Sequence, residues 1–525
     1  MTALASAGSV AAVPPRFAPF RRKPIDPAGA AAEGRPAGEG QGHEATVIGG
    51  APGPGLRRVL GTGQLTLLGV GAIVGAGIFS SIGQMAAGSA DAPGAGPALV
   101  ISYALTALTC LLAALCYAEV AALVPTAGSA YSYAYTAFGE VWAWIIGWDL
   151  IIEYAIGNVY VAQSWSDYFR SFLRGAAGLE LPAWLATDLQ TAAADPAIRA
   201  VAPHLGGQVL AVNLPAAGIT ALLTVLLVVG IRESARVNSL LVLFKLALLV
   251  VFIAVGARYV EPAHWRPFAP NGWRGIWTGA SLAFFSYIGF DAISTTAEET
   301  RQPQRTLPRA MLASLVLCAV LYVATAVVMT GLVPSRDLAT GDPLALALRR
   351  AGLDHLATLM AFGAVLAVTA VLLVFQLGQT RILMVMARDG LLPPLFARLH
   401  ARRRTPVAAT VLTGAFVAVA SSVLTPAQAL ELTSIGTLFA FVVVAGGVIA
   451  LRVREPERPR PFRCVGYPFT PIASMATSFI LMLGLPATNW WRFAVWLVAG
   501  LCVYWGYGRR HSRLAAPGGA AAPPK

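Results

Sequence analysis

Two apolar stretches of this chain carry glycines where a continuous helix would not want them. Gly71-Ala72-Ile73-Val74-Gly75-Ala76-Gly77-Ile78-Phe79 interrupts the first, and Ser286-Tyr287-Ile288-Gly289-Phe290-Asp291 interrupts a later one. A segment that must satisfy its own backbone in hydrocarbon has little use for glycine at its centre unless the helix breaks there. About eleven residues precede each interruption. At ~1.5 Å per residue both fall ~16 Å deep, near the midplane of a ~30 Å hydrocarbon core. Unwound backbone frees amides and carbonyls, and the flanking half-helices add partial positive and negative ends. The amides of Gly75, Ala76 and Gly77 suit a carboxylate. The carbonyls of Phe285, Ser286 and Ile288 suit an ammonium, with Phe290 placed to cover them as a lid. Small residues also serve close helix packing, but two interruptions at matching depth point to a substrate site in a secondary carrier.

Isolated ionisable residues add a second kind of chemistry. Lys245 stands alone among apolar neighbours, where an ammonium is costly and functional by default. It is a candidate to bind and release a proton, or to bridge to the first broken span as a bound cation would. The alternative is a stem that reaches outward past Asn238 to water. Asp149 and Glu153 are four apart, so they share one helix face, which Gly157 continues. Glu153 falls near the midplane and is the better candidate to hold a proton, a neighbouring helix or a cationic side chain. Asp149 either joins it or holds a helix end. Glu119 belongs at an interface, and Asp291 caps or orients backbone after the second break. Glu298, Glu299, Arg301, Arg305 and Arg309 form either an inner gate with Arg381 or Arg388, or a solvated loop.

Other chemistries find little support. The six histidines show no repeated ligand spacing, and the five cysteines sit apart with no zinc or disulfide pattern, so neither metal nor cofactor is expected. No GxxxxGK[ST] loop is present, which argues against a primary pump.

The elements that must position these residues are membrane helices. Of 525 residues, 57% are hydrophobic and 12% charged, about half the charge of an ordinary soluble domain. Apolar residues cluster in stretches of about 20, the length that crosses a bilayer. The formal charge of +13 reports topology rather than nucleic acid. Arg388, Arg398 and Arg402 to Arg404 crowd one connection and Arg452 to Arg463 another, whereas Thr425 to Glu431 between them holds no Lys or Arg. By the positive-inside rule the Arg-rich connections face the cytoplasm.

Twelve spans are expected, at about 64–85, 97–123, 139–169, 210–230, 237–257, 275–296, 309–332, 355–386, 406–424, 431–452, 470–487 and 490–507. Residues 1–55, rich in Ala, Pro and Gly, read as a disordered cytoplasmic tail, and 508–525 as a cytoplasmic C-terminal tail. The transmembrane domain occupies 56–507. Spans one and six are the broken ones and spans three and eight the long ones, so the pattern repeats at five. An odd repeat inverts the second half, giving repeat one over about 60–257 and repeat two over about 274–452, with two helices outside it.

The strings GVGAIVGAGIF, GWDLIIEYAIGNVYVAQSWSDYF, VNSLLVLFKLALLVVFIAVG, FFSYIGFDAISTTAEETRQPQRTLPRAML and RDGLLPP resemble the cationic amino acid transporter branch of the amino acid–polyamine–organocation superfamily. The resemblance covers about Leu60 to Phe469. It implies the all-α leucine-transporter fold and amino acid substrates held by spans one and six, through Ile73, Gly75, Ala76, Gly77, Phe285, Ser286, Ile288 and Phe290. It also implies a proton-coupling role for Lys245, since proton-coupled members carry a lysine here.

Read together, these features make the chain a multi-pass protein of the cell membrane with both termini cytoplasmic. Its expected partners are an amino acid, a proton and the lipid bilayer, and no nucleic acid; it is a carrier and not an enzyme. Oligomeric state stays open. An amino acid exchanger independent of protons, and a carrier for cationic amino acids, remain as alternatives, with a channel more remote. Substrate charge is where name and residues diverge. Leu372, Leu373, Val374 and Phe375 in span eight shorten the pocket with apolar bulk, so small neutral L-amino acids are expected over cationic ones.

Overall fold

The computed structural model describes residues 22–23, 60–89, 92–126, 128–229, 235–400 and 405–513, with the side chains of 235–238, 295, 298 and 299 excepted. Each of the twelve anticipated stretches is helical. The first, α1, is Thr62–Ile73 followed by Gly77–Ala87, bent by 43° between them. Then come α2 (Gly96–Leu123), α3 (Glu140–Ala177), α4 (Leu214–Val229), α5 (Ala235–Gly256) and α6, which begins as Gly272–Ala283. Beyond it lie α7 (Pro303–Leu332), α8 (Asp354–Arg388), α9 (Val407–Ala420) and α10 (Pro426–Arg454). Last are α11 (Phe469–Leu483) and α12 (Ala487–Val503).

Among the described residues seven helices are long and apolar enough to cross a membrane individually, and two bent pairs pass the same test. One bent pair is α1. The other is α11 with α12, where a 113° turn sends the chain back and makes two elements of it. The polypeptide is thus a polytopic all-α membrane protein. Its only described strands form a small hairpin, His204–Leu205 with Gln208–Val209, in the connection after α3.

Helix ends follow their capping residues. Thr425 accepts the Gln428 amide and opens α10, with Pro426 at its first position. Gly178, at φ 65°, closes α3 in the left-handed conformation.

The packing has an internal correspondence. Exchange α1–α5 with α6–α10 and the contacts map onto one another. The pairs α2–α7, α3–α8 and α4–α9 map onto themselves. The pair α1–α7 becomes α6–α2, α5–α8 becomes α10–α3, and α5–α7 becomes α10–α2. At the centre of this arrangement lie the two helix interruptions.

The tail expected over 1–55 lies outside the described residues except at Arg22 and Lys23. Lys23 is docked rather than detached. Its Nζ donates to both Asp389 carboxylate oxygens, at 2.7 and 2.6 Å, just beyond α8.

Candidate substrate-binding site

The first half of α1 stops because Val74 turns extended, with ψ at 96°. The second half restarts as a π-turn over Gly77–Ser81, a geometry often found at functional sites. Gly75 accepts the amides of Ile78 and Phe79, each at 3.1 Å. The amides of Gly75, Ala76 and Gly77 therefore lead the second half-helix, where N–H groups lack intrahelical partners by construction.

In α6 the chain tightens to a 3-10 turn over Phe284–Tyr287, becomes extended at Ile288, and passes Gly289 at φ 117°. Only glycine takes that conformation readily. It resumes as a 3-10 segment, Asp291–Glu299. The two breaks abut. A Cβ on Gly289 would lie 2.9 Å from the Ala72 carbonyl carbon, and one on Gly77 would strike the Ser286 backbone.

Lys245 does not reach outward. It is 1% exposed, and its Nζ donates to the carbonyls of Gly71 at 2.5 Å and Val74 at 2.7 Å. Tyr322 on α7 donates to the Ile73 carbonyl between them at 2.9 Å. Three carbonyls at the end of the first half-helix thus face donors from α5 and α7. Ile73 contributes its carbonyl to this seal.

The neighbouring wall comes from α3, α8 and α10. Val371 packs over Gly75, whose Cβ would fall 2.5 Å from its methyl. One turn on, Phe375 stacks edge-on against Tyr154, with centroids 5.7 Å apart. Gly157 is hemmed in by Phe375 and Thr433, each 3.1 Å from where its Cβ would be. Val371 was not anticipated, although it and Phe375 are four apart and so share a face; reading four consecutive residues as the wall ignored that period.

Behind the wall lies a buried group of carboxyls. Glu153, in a π-turn of α3, faces Asp291 and Thr437. Tyr154 donates to one oxygen of Asp291 at 3.2 Å. Both oxygens of Asp149, one of Glu153 and one of Asp291 lack hydrogen-bond partners among the described residues. Asp149 lies mid-helix against Gly436, so it does not hold a helix end.

Phe290, expected as a lid, is fully buried between Tyr117 and Phe441, with centroids 5.7 and 5.2 Å away. The ring facing across to α3 is Phe285, edge-on to Tyr160 at 5.0 Å. The Ser286 hydroxyl lies 3.3 Å from that of Tyr103. Ile288 donates its amide to the Phe285 carbonyl at 3.3 Å.

Both ends of the site are tied shut. Away from the Arg-rich connections, Ser80 hydrogen-bonds Ser164, and Tyr168 donates to the Phe79 carbonyl at 2.5 Å, joining α1 to α3. On the Arg-rich side, Arg301 donates its amide to Leu60 at 2.9 Å, and Tyr131 joins Lys23 on Asp389 at 2.6 Å. Glu119 is buried there, gripped by Arg452 at 2.6 and 2.9 Å with Arg460 at 3.3 Å. The side chains of Glu298 and Glu299, considered for an inner gate, lie outside the described residues. No group of His, Cys, Asp and Glu among the described residues is arranged to hold a metal ion.

Known proteins share this chain's sequence over nearly its whole membrane domain. The family model described as "Amino acid permease" matches residues 60–505. The chain is 43% identical over 460 residues to the branched-chain amino acid permease BcaP of Bacillus subtilis (strain 168), covering 87% of this chain and 95% of that one. It is 41% identical over 459 residues to the methylthioribose transporter of the same organism, with the same coverage. To the chloroplastic cationic amino acid transporter 9 of Arabidopsis thaliana it is 37% identical over 415 residues, or 78% of this chain and 69% of that one. On these matches the chain belongs to the amino acid permease family, in the cationic amino acid transporter branch of the amino acid–polyamine–organocation superfamily.

Proposed function

We propose that this permease is a proton-coupled symporter of small neutral L-amino acids, alternating access around the paired breaks of α1 and α6. The observation that carries the reading is Lys245. A buried ammonium holds two carbonyls of the broken helix, so its charge state bears directly on whether that half-helix stays seated. The substrate carboxylate meets the Gly75–Gly77 amides at the positive end of the second half-helix. Its ammonium meets the carbonyls that the break leaves around Ser286 and Ile288. Glu153 and Asp291, side by side in a low dielectric, cannot both carry charge cheaply, so the pair is a second place to hold a proton.

The correspondence of packing on exchanging α1–α5 with α6–α10 supports an inverted repeat, and with it rocking of one part against the other. The Arg-rich connections support cytoplasmic termini in a protein of the cell membrane. Val371 crowds Gly75, and Phe375 and Thr433 crowd Gly157, which favours a short apolar side chain, and the relatives named as branched-chain permeases accord with a neutral one.

Uptake of labelled alanine into liposomes, with and without an imposed inward proton gradient, tests the proposal. Arginine and methylthioribose serve as competitors. Accumulation that follows the gradient and yields to alanine before either competitor supports it. Flux that needs amino acid on the far side but no gradient identifies an exchanger instead.

A further inference from the structure

Cys464 belongs to the connection between α10 and α11, on the Arg-rich side. Arg460 folds this connection back by donating to the Leu451 and Glu455 carbonyls at 3.1 and 2.8 Å. Both backbone groups of Cys464 are held. Its amide donates to Glu119 of α2 at 2.7 Å, and its carbonyl accepts from Arg452 at 3.3 Å. Arg452 is itself gripped by Glu119 and lies over the Tyr467 ring at 4.2 Å. Cys464 is therefore fixed against α2 at the level of Glu119.

Cys116 lies three residues before Glu119, so it shares that face of α2. Its side chain and that of Cys464 face one another there. Both are buried, at 0% and 3% exposure, and both are free thiols. As apolar filler a single cysteine would serve anywhere; two in contact beside an arginine can do more. The Cys116 thiol, followed by the Arg452 guanidinium, holds the Cys464 thiol below its ordinary value, although burial and Glu119 push it up. The thiolate is the form that attacks an oxidant, and a second thiol in contact turns a first oxidation into a disulfide. The connection itself is at the surface, since Arg463 and Val465 on either side of Cys464 are exposed.

We propose that Cys116 and Cys464 are a peroxide-sensitive pair whose disulfide restrains the carrier. The Cys464 thiolate attacks hydrogen peroxide; the O–O bond breaks, the sulfur becomes a sulfenic acid, and hydroxide leaves and takes a proton. The Cys116 sulfur then attacks that of Cys464. The S–S bond forms as the S–O bond breaks, and the Cys116 proton departs with the hydroxyl as water. Two thiols thus give up two electrons, and one peroxide becomes two waters. On a face assigned to the cytoplasm such a pair rests reduced and oxidises transiently. Its reach is across the molecule. Helix α2 packs along α6 and α7, whereas α10 packs on α3. The bond would join α2 to the connection leaving α10, and so tie together parts that rocking must separate. That effect rests on the rocking proposed above; the bond itself does not.

Purified full-length protein in liposomes, treated with hydrogen peroxide and then a maleimide, is digested for mass spectrometry. A linked Cys116–Cys464 peptide should appear and vanish on reduction, with Cys110, Cys318 and Cys502 outside it. With the bond in place, alanine uptake should fall by roughly threefold to tenfold, the range of a coupling carried by a packed element. It should recover on reduction, and Cys464→Ser should not respond to peroxide. Absence of the linked peptide overturns the pair. A linked peptide with unchanged uptake overturns the restraint, as does a peroxide effect that persists in Cys464→Ser. If the untreated protein carries no amino acid, the transport reading fails, while the linked peptide still decides the pair.

Discussion

Lys245 on α5 holds the Gly71 and Val74 carbonyls at 2.5 and 2.7 Å, so a single ammonium fastens the first half of α1 where that helix ends. Those carbonyls would otherwise lack partners in hydrocarbon, where each unmet group costs several kcal/mol. The contact couples a titratable group to the element that also carries the amides proposed to meet the substrate carboxylate.

Gly77→Leu should abolish substrate binding. The new Cβ meets the Ser286 backbone and its branch fills the space before the amides. Titration of the purified variant with alanine should show at least a tenfold loss, about 1.4 kcal/mol; unchanged affinity would refute carboxylate binding at this break.

Gly289→Ala tests the α6 break separately. At φ 117°, with the Ala72 carbonyl carbon 2.9 Å away, an alanine is strained and crowded. A stability loss of about 1–3 kcal/mol is expected, read as a lowered melting temperature. A substitution that leaves both melting and transport intact would show that the break does not need this backbone.

Phe375→Ser should lengthen the pocket beside Gly157 and shift selectivity toward long side chains. Competition assays should show arginine gaining on alanine relative to wild type. If arginine already outcompetes alanine tenfold on wild type, the neutral preference is wrong and Glu153 becomes the suspect ligand.

Lys23→Ala should remove one of the two donors on Asp389 beneath α8, and Asp389→Ala should remove the acceptor of both Lys23 and Tyr131. Either should expose the Arg-rich face, so that Ser294→Cys, placed where Ser294 and Ser129 meet at 3.2 Å, is labelled faster by an impermeant thiol reagent from that side. Identical labelling rates with and without Lys23 would remove this contact from the gate.

The fold was largely legible because membrane helices announce themselves by length and apolarity, and glycine at midspan marks where they part. The inward place of Lys245 was legible for a related reason, since a lone charge in an apolar run needs partners inside the protein. The packing of Phe290 was not legible because the direction of a side chain after a break depends on the turn taken there. Gly289 swings it toward Tyr117 and Phe441, leaving Phe285 to face Tyr160. The contacts of Gln163 carried no signal in a polar stretch of α3, as its partners are carbonyls on residues 421 and 424, remote in sequence.

The central claim is that the charge on Lys245 links proton movement to α1. Lys245→Met and Lys245→Arg, each shown to insert and fold, should be compared with wild type for alanine accumulation under an imposed pH gradient. Neither should accumulate alanine in response to the gradient, the first for want of a charge and the second because a guanidinium keeps its proton. Gradient-driven accumulation by either variant at the wild-type level would contradict the account.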